Sequence, residues 1–238
     1  MKHPQETMLD HLRDDLRKLR NPAKAEILSR FFKTVRGEYG EGDVFLGIPV
    51  PQQRRIAKKY CDFHLGALRM LLSSRIHEER LVALFILITK YSKAENTDRR
   101  AVVDFYLRNT RRINSWDLVD ISAGNILGDY LLDKDRALLS RLAGSDNLWE
   151  RRIAIMATFA FIRRNEFKDT LHISELLLKD TNDLIHKAVG WMLREIGKRD
   201  RRTEEQFLRT HSRNMPRTML RYAIERFDET TRNAYLKK

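Results

Sequence analysis

Leu81-Val82-Ala83-Leu84-Phe85-Ile86-Leu87-Ile88 is the longest apolar run in the chain. It is far short of the ~20 residues that span a bilayer. It is apolar nearly all round, the pattern of a helix buried between neighbours rather than laid on a surface. No segment shows sustained period-two alternation, so nothing competes with a helical reading. The expectation is an all-α fold with this helix inside it.

The segments around it agree. Upstream, Leu65, Leu68, Leu71 and Leu72 form one apolar helical face, and Leu9, Leu12, Leu16 and Leu19 form another. Asn21-Pro22 reads as an N-cap followed by proline at the first helical position, opening a helix through Ile27, Leu28, Phe31, Phe32 and Val35. Gly37, Gly40, Gly42 and Gly47, with Pro49 and Pro51, then interrupt the pattern. The apolar Val44-Phe45-Leu46-Gly47-Ile48 inside this stretch has no evident partner strand and reads as an ordered loop. Pro51 opens a basic helix with Arg54, Arg55, Lys58 and Lys59 outward. Downstream, polar clusters such as Gly144-Ser145-Asp146-Asn147 and Asp180-Thr181-Asn182-Asp183 separate further helices.

Alanines recur at Ala83, Ala123, Ala154, Ala188 and Ala223, each after a charged residue and before an aliphatic run. The interval is roughly 31–40 residues, the period of helix-pair repeats that stack into curved solenoids. The expectation is a single domain over residues 1–238, a curved superhelix of antiparallel helix pairs with an alanine early in each inner helix.

Composition narrows the partner. The 238 residues carry 46 Lys+Arg against 33 Asp+Glu, a formal charge of +13. Such an excess attracts a polyanion, nucleic acid first and an anionic membrane surface second. One cysteine, Cys61, allows no intrachain disulfide and suits a reducing compartment. The stretch Met1-Lys2-His3-Pro4-Gln5-Glu6 lacks the apolar core of a signal peptide, so a cytoplasmic protein is expected. His64, His77, His172, His186 and His211 show no metal-ligand spacing with Cys61 or with carboxylates, and no phosphate-binding glycine loop appears. No cofactor and no metal are expected. The array needs no partner to close its core, so a monomer is expected.

All three tryptophans sit next to charge. Asn114-Ser115-Trp116-Asp117-Leu118-Val119-Asp120 puts Trp116 and Asp120 one helical turn apart. Trp149-Glu150-Arg151-Arg152 and Lys187-Ala188-Val189-Gly190-Trp191-Met192-Leu193-Arg194 repeat the theme. The expectation is that the three segments build one site on a concave face, with DNA as its ligand. The blander alternatives are that the indoles are core, that Asp120 caps or pairs locally, and that Arg152 and Arg194 are solvated.

These segments, with Asn21-Pro22-Ala23-Lys24-Ala25-Glu26 and Phe45-Leu46-Gly47-Ile48, resemble in order the AlkD family of bacterial alkylpurine DNA glycosylases, which are built from HEAT-like repeats. The resemblance implies that Trp116, Trp191 and Asp120 form the catalytic site and that Arg152, Arg194, Lys187 and Trp149 bind DNA, Arg152 and Arg194 at the phosphate backbone. It implies duplex DNA carrying alkylated purines as the partner, gripped in an open cleft with the base left largely stacked. The chain departs from the family at Ser115, where a second tryptophan stands beside the first. It also departs at Phe31, where a tyrosine stands, and at Pro49, where a polar residue stands. Relatives that have lost the site also exist. A DNA-binding protein without catalysis and a helical scaffold for an acidic partner are the other two readings.

Overall fold

The computed structural model describes residues 4–237. Among them helix follows helix: α1 (Pro4–Lys18), α2 (Pro22–Phe31), α3 (Val50–Lys59), α4 (Leu65–Leu72), α5 (His77–Lys93), α6 (Asn96–Arg108), α7 (Trp116–Ser122), α8 (Ala137–Ala143), α9 (Leu148–Ala157), α10 (Phe159–Ile162), α11 (Lys168–Leu176), α12 (Asp183–Gly197), α13 (Arg201–His211), α14 (Arg217–Ala223) and α15 (Glu229–Leu236). The fold is all-α. The apolar loop at 44–48 is a loop, joined to the start of α5 by an isolated parallel bridge between Val44 and Ile76. No helix among the described residues is long and apolar enough to cross a membrane. The chain divides into two compact units, one ending at Ser122 and the other beginning at Ala123.

The first unit is organised by α5, which packs against α1, α3, α4, α6 and α7. Leu81 through Leu87 are all buried, as an all-round apolar helix requires. Each of the larger side chains among them, Ala83 apart, contributes about 1.5–3 kcal/mol on leaving water. The Asn21 side chain accepts from the Lys24 N–H at 3.0 Å, capping α2 as its sequence foretells. The helix stops at Phe31, however, short of Val35. Lys33 takes φ +53°, and Gly40 folds back so closely that a Cβ there would lie 2.2 Å from the Phe32 carbonyl oxygen. Helix α3 starts at Val50, one residue before Pro51. It turns Gln53, Ile56 and Ala57 inward and leaves Arg54, Arg55, Lys58 and Lys59 exposed.

In the second unit α12 packs against α9, α11, α13 and α14. The α12–α14 approach is close at Gly190, where a Cβ would lie 2.4 Å from the Met219 carbonyl oxygen and 2.5 Å from the Tyr222 Cβ. All five recurring alanines are buried. Only Ala83 and Ala188 lie inside helices with turns still to follow, and Ala154 stands less than one turn from the end of α9. Ala123 comes directly after α7, and Ala223 is the last residue of α14. The expectation of an alanine early in every inner helix therefore fails at three of the five positions, Ala123, Ala154 and Ala223.

Candidate functional site

Helix α7 begins at Trp116, and its first turn is held by aromatic packing. The indole stacks on Phe32 at 5.1 Å with a 5° interplanar angle and meets Phe31 edge-on at 5.9 Å. Phe32 stacks in turn on Phe45 at 5.0 Å, and Phe45 on the His77 ring at 4.5 Å. Offset and edge-on pairs of this kind are each worth about 0.5–1.5 kcal/mol beyond the area they bury. The indole N–H donates to the Tyr39 hydroxyl at 3.2 Å. Trp116 is half-buried and so keeps indole surface open to a ligand. Asp120, one turn on, is also half-buried. It lies close enough to the fully buried Tyr106 that, after burial itself, its charge helps to raise the phenol pKa. The Tyr106 hydroxyl shares a hydrogen bond with Ser122, the last residue of α7.

Beneath the stack lies a group of charges that sequence reasoning passed over. His77, Glu78, Glu79 and Arg80 open α5 and are all at most 3 % exposed. The His77 ring donates through Nε2 to Asp117 Oδ2 at 2.8 Å and through Nδ1 to Asp43 Oδ2 at 3.0 Å. Burial works to lower the imidazole pKa, but the two carboxylates outweigh it and raise it to about 9. Burial likewise works to raise the Asp43 carboxyl, but His77 and the Arg80 guanidinium hold it below its usual value. Glu78 accepts the backbone N–H groups of Leu46, Gly47 and Ile48 at 2.9, 2.8 and 3.2 Å. Those donors would otherwise be buried and orphaned. Gly47 takes φ +82° there, with its Cα so close to α2 that a Cβ would lie 2.2 Å from the Asn21 carbonyl oxygen. The first turn of α5 thus fixes the 43–48 loop on one side and α7, through Asp117, on the other. A single sequence offers little signal for this. A run of His-Glu-Glu-Arg opening a helix looks like a solvated first turn until its partners, some 30–40 residues away in each direction, are known.

In the second unit, Lys187, Trp191, Arg194 and Glu195 share one face of α12 at helical spacing. The Trp191 indole N–H donates to Glu195 Oε1 at 2.9 Å, and the ring is half-buried. Lys187 pairs with Asp183 one turn earlier, and Arg194 with Glu225 beyond α14. Arg152 is buried on α9 and donates to the Leu184 carbonyl at the start of α12. Trp149 lies in the core of the unit at 8 % exposure. The expected site residues thus fall into two groups. Trp116 and Asp120 stand on α7, while Arg152, Lys187, Trp191 and Arg194 stand on or against α12.

A family model for DNA alkylation repair enzymes matches residues 12–227. Among solved structures, the fold is similar to that of a predicted DNA alkylation repair enzyme from Enterococcus faecalis. That match has a TM-score of 0.70, covers 88 % of this chain and 97 % of the other, and shows 18 % sequence identity. At that identity the likeness speaks for the fold alone. No match is found among the curated proteins. The family match spans both units and every residue of the candidate site, and on that ground the chain belongs to the DNA alkylation repair enzyme family.

Proposed function

We propose that this chain is a monofunctional DNA glycosylase. In this reading it hydrolyses the N-glycosidic bond of cationic alkylated purines, 7-methylguanine and 3-methyladenine, in duplex DNA. Membership of a DNA alkylation repair family makes alkylated DNA the substrate class. The observation that carries the finer reading is the Trp116–Asp120 turn of α7, where a half-buried indole and a half-buried carboxylate stand on one helix face.

Alkylation at a ring nitrogen puts positive charge on the base, so the base leaves with the bonding pair and little assistance. The sugar left behind is an oxocarbenium-like centre at C1′, which water attacks, as in glycoside hydrolysis. A carboxylate beside that centre gains attraction as the bond breaks and can orient the water. This role is assigned to Asp120. The indole faces of Trp116 and Trp191 attract cationic lesion or sugar by ~0.5–2 kcal/mol each. Arg194 and Lys187 supply phosphate contacts by exchanging their carboxylate partners Glu225 and Asp183 for DNA. Arg152 is held by the Leu184 carbonyl as a placed cation near α12. Trp149 joins the DNA-contacting set only through the helix whose packing it secures. In this reading the protein grips the backbone and leaves the base largely stacked, as a monomer in the cytoplasm.

The test is incubation of the pure protein with methylated duplex DNA. Free 7-methylguanine and 3-methyladenine should appear, with the strand uncut until heat or base is applied. DNA affinity should fall with salt at a log-log slope of about −0.9 per phosphate contacted. Release of no base from DNA that the protein binds would leave an inert DNA-binding relative as the better reading.

A further inference from the structure

The His77 ring ties α7 to the first turn of α5 through Asp117. Asp43 and Asp117 both accept from that ring, but they are not equivalent. Asp43 also accepts from the Arg80 guanidinium, which donates in turn to the Ser74 carbonyl at 3.0 Å. Asp117 spends Oδ2 on His77 at 2.8 Å, and its Oδ1 is buried with no partner. Without the ring, the 43–48 loop stays tied by Arg80 and Glu78, while the α7 carboxylate loses its hydrogen bond. His77 reaches Trp116 by a second route as well. Its ring lies 5.0 Å from that of Phe32, which stacks on the indole at 5.1 Å. Helix α7 runs only from Trp116 to Ser122, so Asp120 stands about one turn from both holds. A buried ring bonded through each nitrogen and stacked on Phe45 is fixed in orientation. Support of that kind holds a reacting group to within about 0.5 Å of its working place.

We infer that His77 is a positioning residue for the candidate site: through Asp117 and Phe32 it sets where Trp116 and Asp120 stand. The inference rests on the proposed glycosylase function for what those two side chains do, and adds what places them. His77 is itself 2 % exposed, so it acts through its neighbours and not on the substrate. Its effect falls on bond breaking rather than on DNA affinity. A carboxylate displaced by about 1 Å loses attraction for the charge that develops at C1′, and such a displacement can cost about 10²-fold in rate. The phosphate contacts assigned to Lys187 and Arg194 stand on α12 and do not depend on the α7 turn.

The experiment cuts the bond from the α7 side, because removing His77 would also strip Asp43. Three full-length variants are compared at Asp117. Leucine keeps the shape of aspartate and removes the bond. Serine, whose hydroxyl is one bond too short to reach the ring, removes it with less risk to folding. Asparagine keeps both shape and bonding capacity, so it is the rescue and the control for a substitution this close to the indole. Readouts are taken on protein that circular dichroism shows to be folded at the assay temperature. One is the NMR resonance of the Trp116 indole N–H without DNA, identified by its loss in Trp116→Phe. The other is single-turnover excision of 7-methylguanine beside equilibrium DNA binding. In Asp117→Leu and Asp117→Ser the resonance should move and the rate fall about ten-fold, with the DNA Kd changed by less than about two-fold. Asp117→Asn should return both resonance and rate to near wild type. A tie that only stabilises the fold moves neither readout once the protein is folded. An unmoved resonance or a wild-type rate in the folded leucine and serine variants therefore overturns the inference. So does a Kd that weakens as much as the rate falls, or an asparagine variant no better than leucine. Should Asp117→Leu not fold, the serine variant decides. If wild type excises no base, the glycosylase reading fails, and the resonance alone decides whether His77 places Trp116.

Discussion

Replacing His77 with glutamine tests the charge network under α7. The wild-type imidazole is 2 % exposed and bonded to a carboxylate through each nitrogen. Its pKa stands at about 9 against an ordinary 6.5. At 1.36 kcal/mol per tenfold, that difference is worth about 3 kcal/mol of folding stability. The sign follows from proton binding. Below pH 6.5 the ring is protonated both folded and unfolded, and the contribution is fully present. Between 6.5 and 9 only the folded protein holds the proton, so stability declines as pH rises and the contribution is gone above 9. Glutamine keeps a donor and an acceptor but no charge, which leaves Asp43 and Asp117 facing each other with only Arg80 to offset them. The expected outcome in urea denaturation is a loss of about 3 kcal/mol at pH 6, shrinking toward pH 9.5. NMR of the wild-type ring should show it titrating near 9. Parallel stability–pH curves for the two proteins, or a ring that titrates near 6.5, would refute the reasoning.

Two further outcomes follow from the second unit. Burial raises Glu204 to about 8, with Oε1 unpartnered, so an acid that is ionised when unfolded is held neutral when folded. Stability is therefore lost as pH rises from 4.5 to 8. Glu204→Gln should raise the unfolding free energy at pH 8, by up to about 4 kcal/mol, and do little at pH 4.5. Gly190→Ala drives a methyl into the Met219 carbonyl, which the α12–α14 contact can relieve only by moving backbone. A loss of about 2–3 kcal/mol is expected, read as a lower melting temperature.

The parts of the fold that rest on apolar periodicity are legible in the sequence. The α5 run and the Asn21 cap both stand where local pattern puts them, because burial and capping are decided by residues within one or two turns. Features decided by distant partners are not legible. The end of α2 is set by Gly40 returning onto Phe32, from beyond Val35, to which the apolar pattern still reads as helix. The His77–Arg80 turn looks solvated until the 43–48 loop and Asp117 are folded onto it. The same holds for the candidate site. Indole and charge at helical spacing mark Trp116, Asp120, Trp191 and Arg194. No local signal shows that Trp149 is consumed by its core, or that Arg194 already holds Glu225.

The central claim is that Asp120 works on the transition state. Its most direct test is single-turnover excision of 7-methylguanine by wild type and Asp120→Asn, with equilibrium DNA binding measured on the same preparations. Asparagine keeps the shape and removes the full negative charge. The loss of one electrostatic group of this kind typically costs about 10²–10³ in rate, and the lower end is expected because an alkylated base already leaves readily. Removing an anion from a surface that meets a polyanion should leave DNA affinity equal or slightly tighter. A rate about 10²-fold lower with undiminished binding is the predicted result. Excision at the wild-type rate by Asp120→Asn would make Asp120 a structural carboxylate and contradict the account.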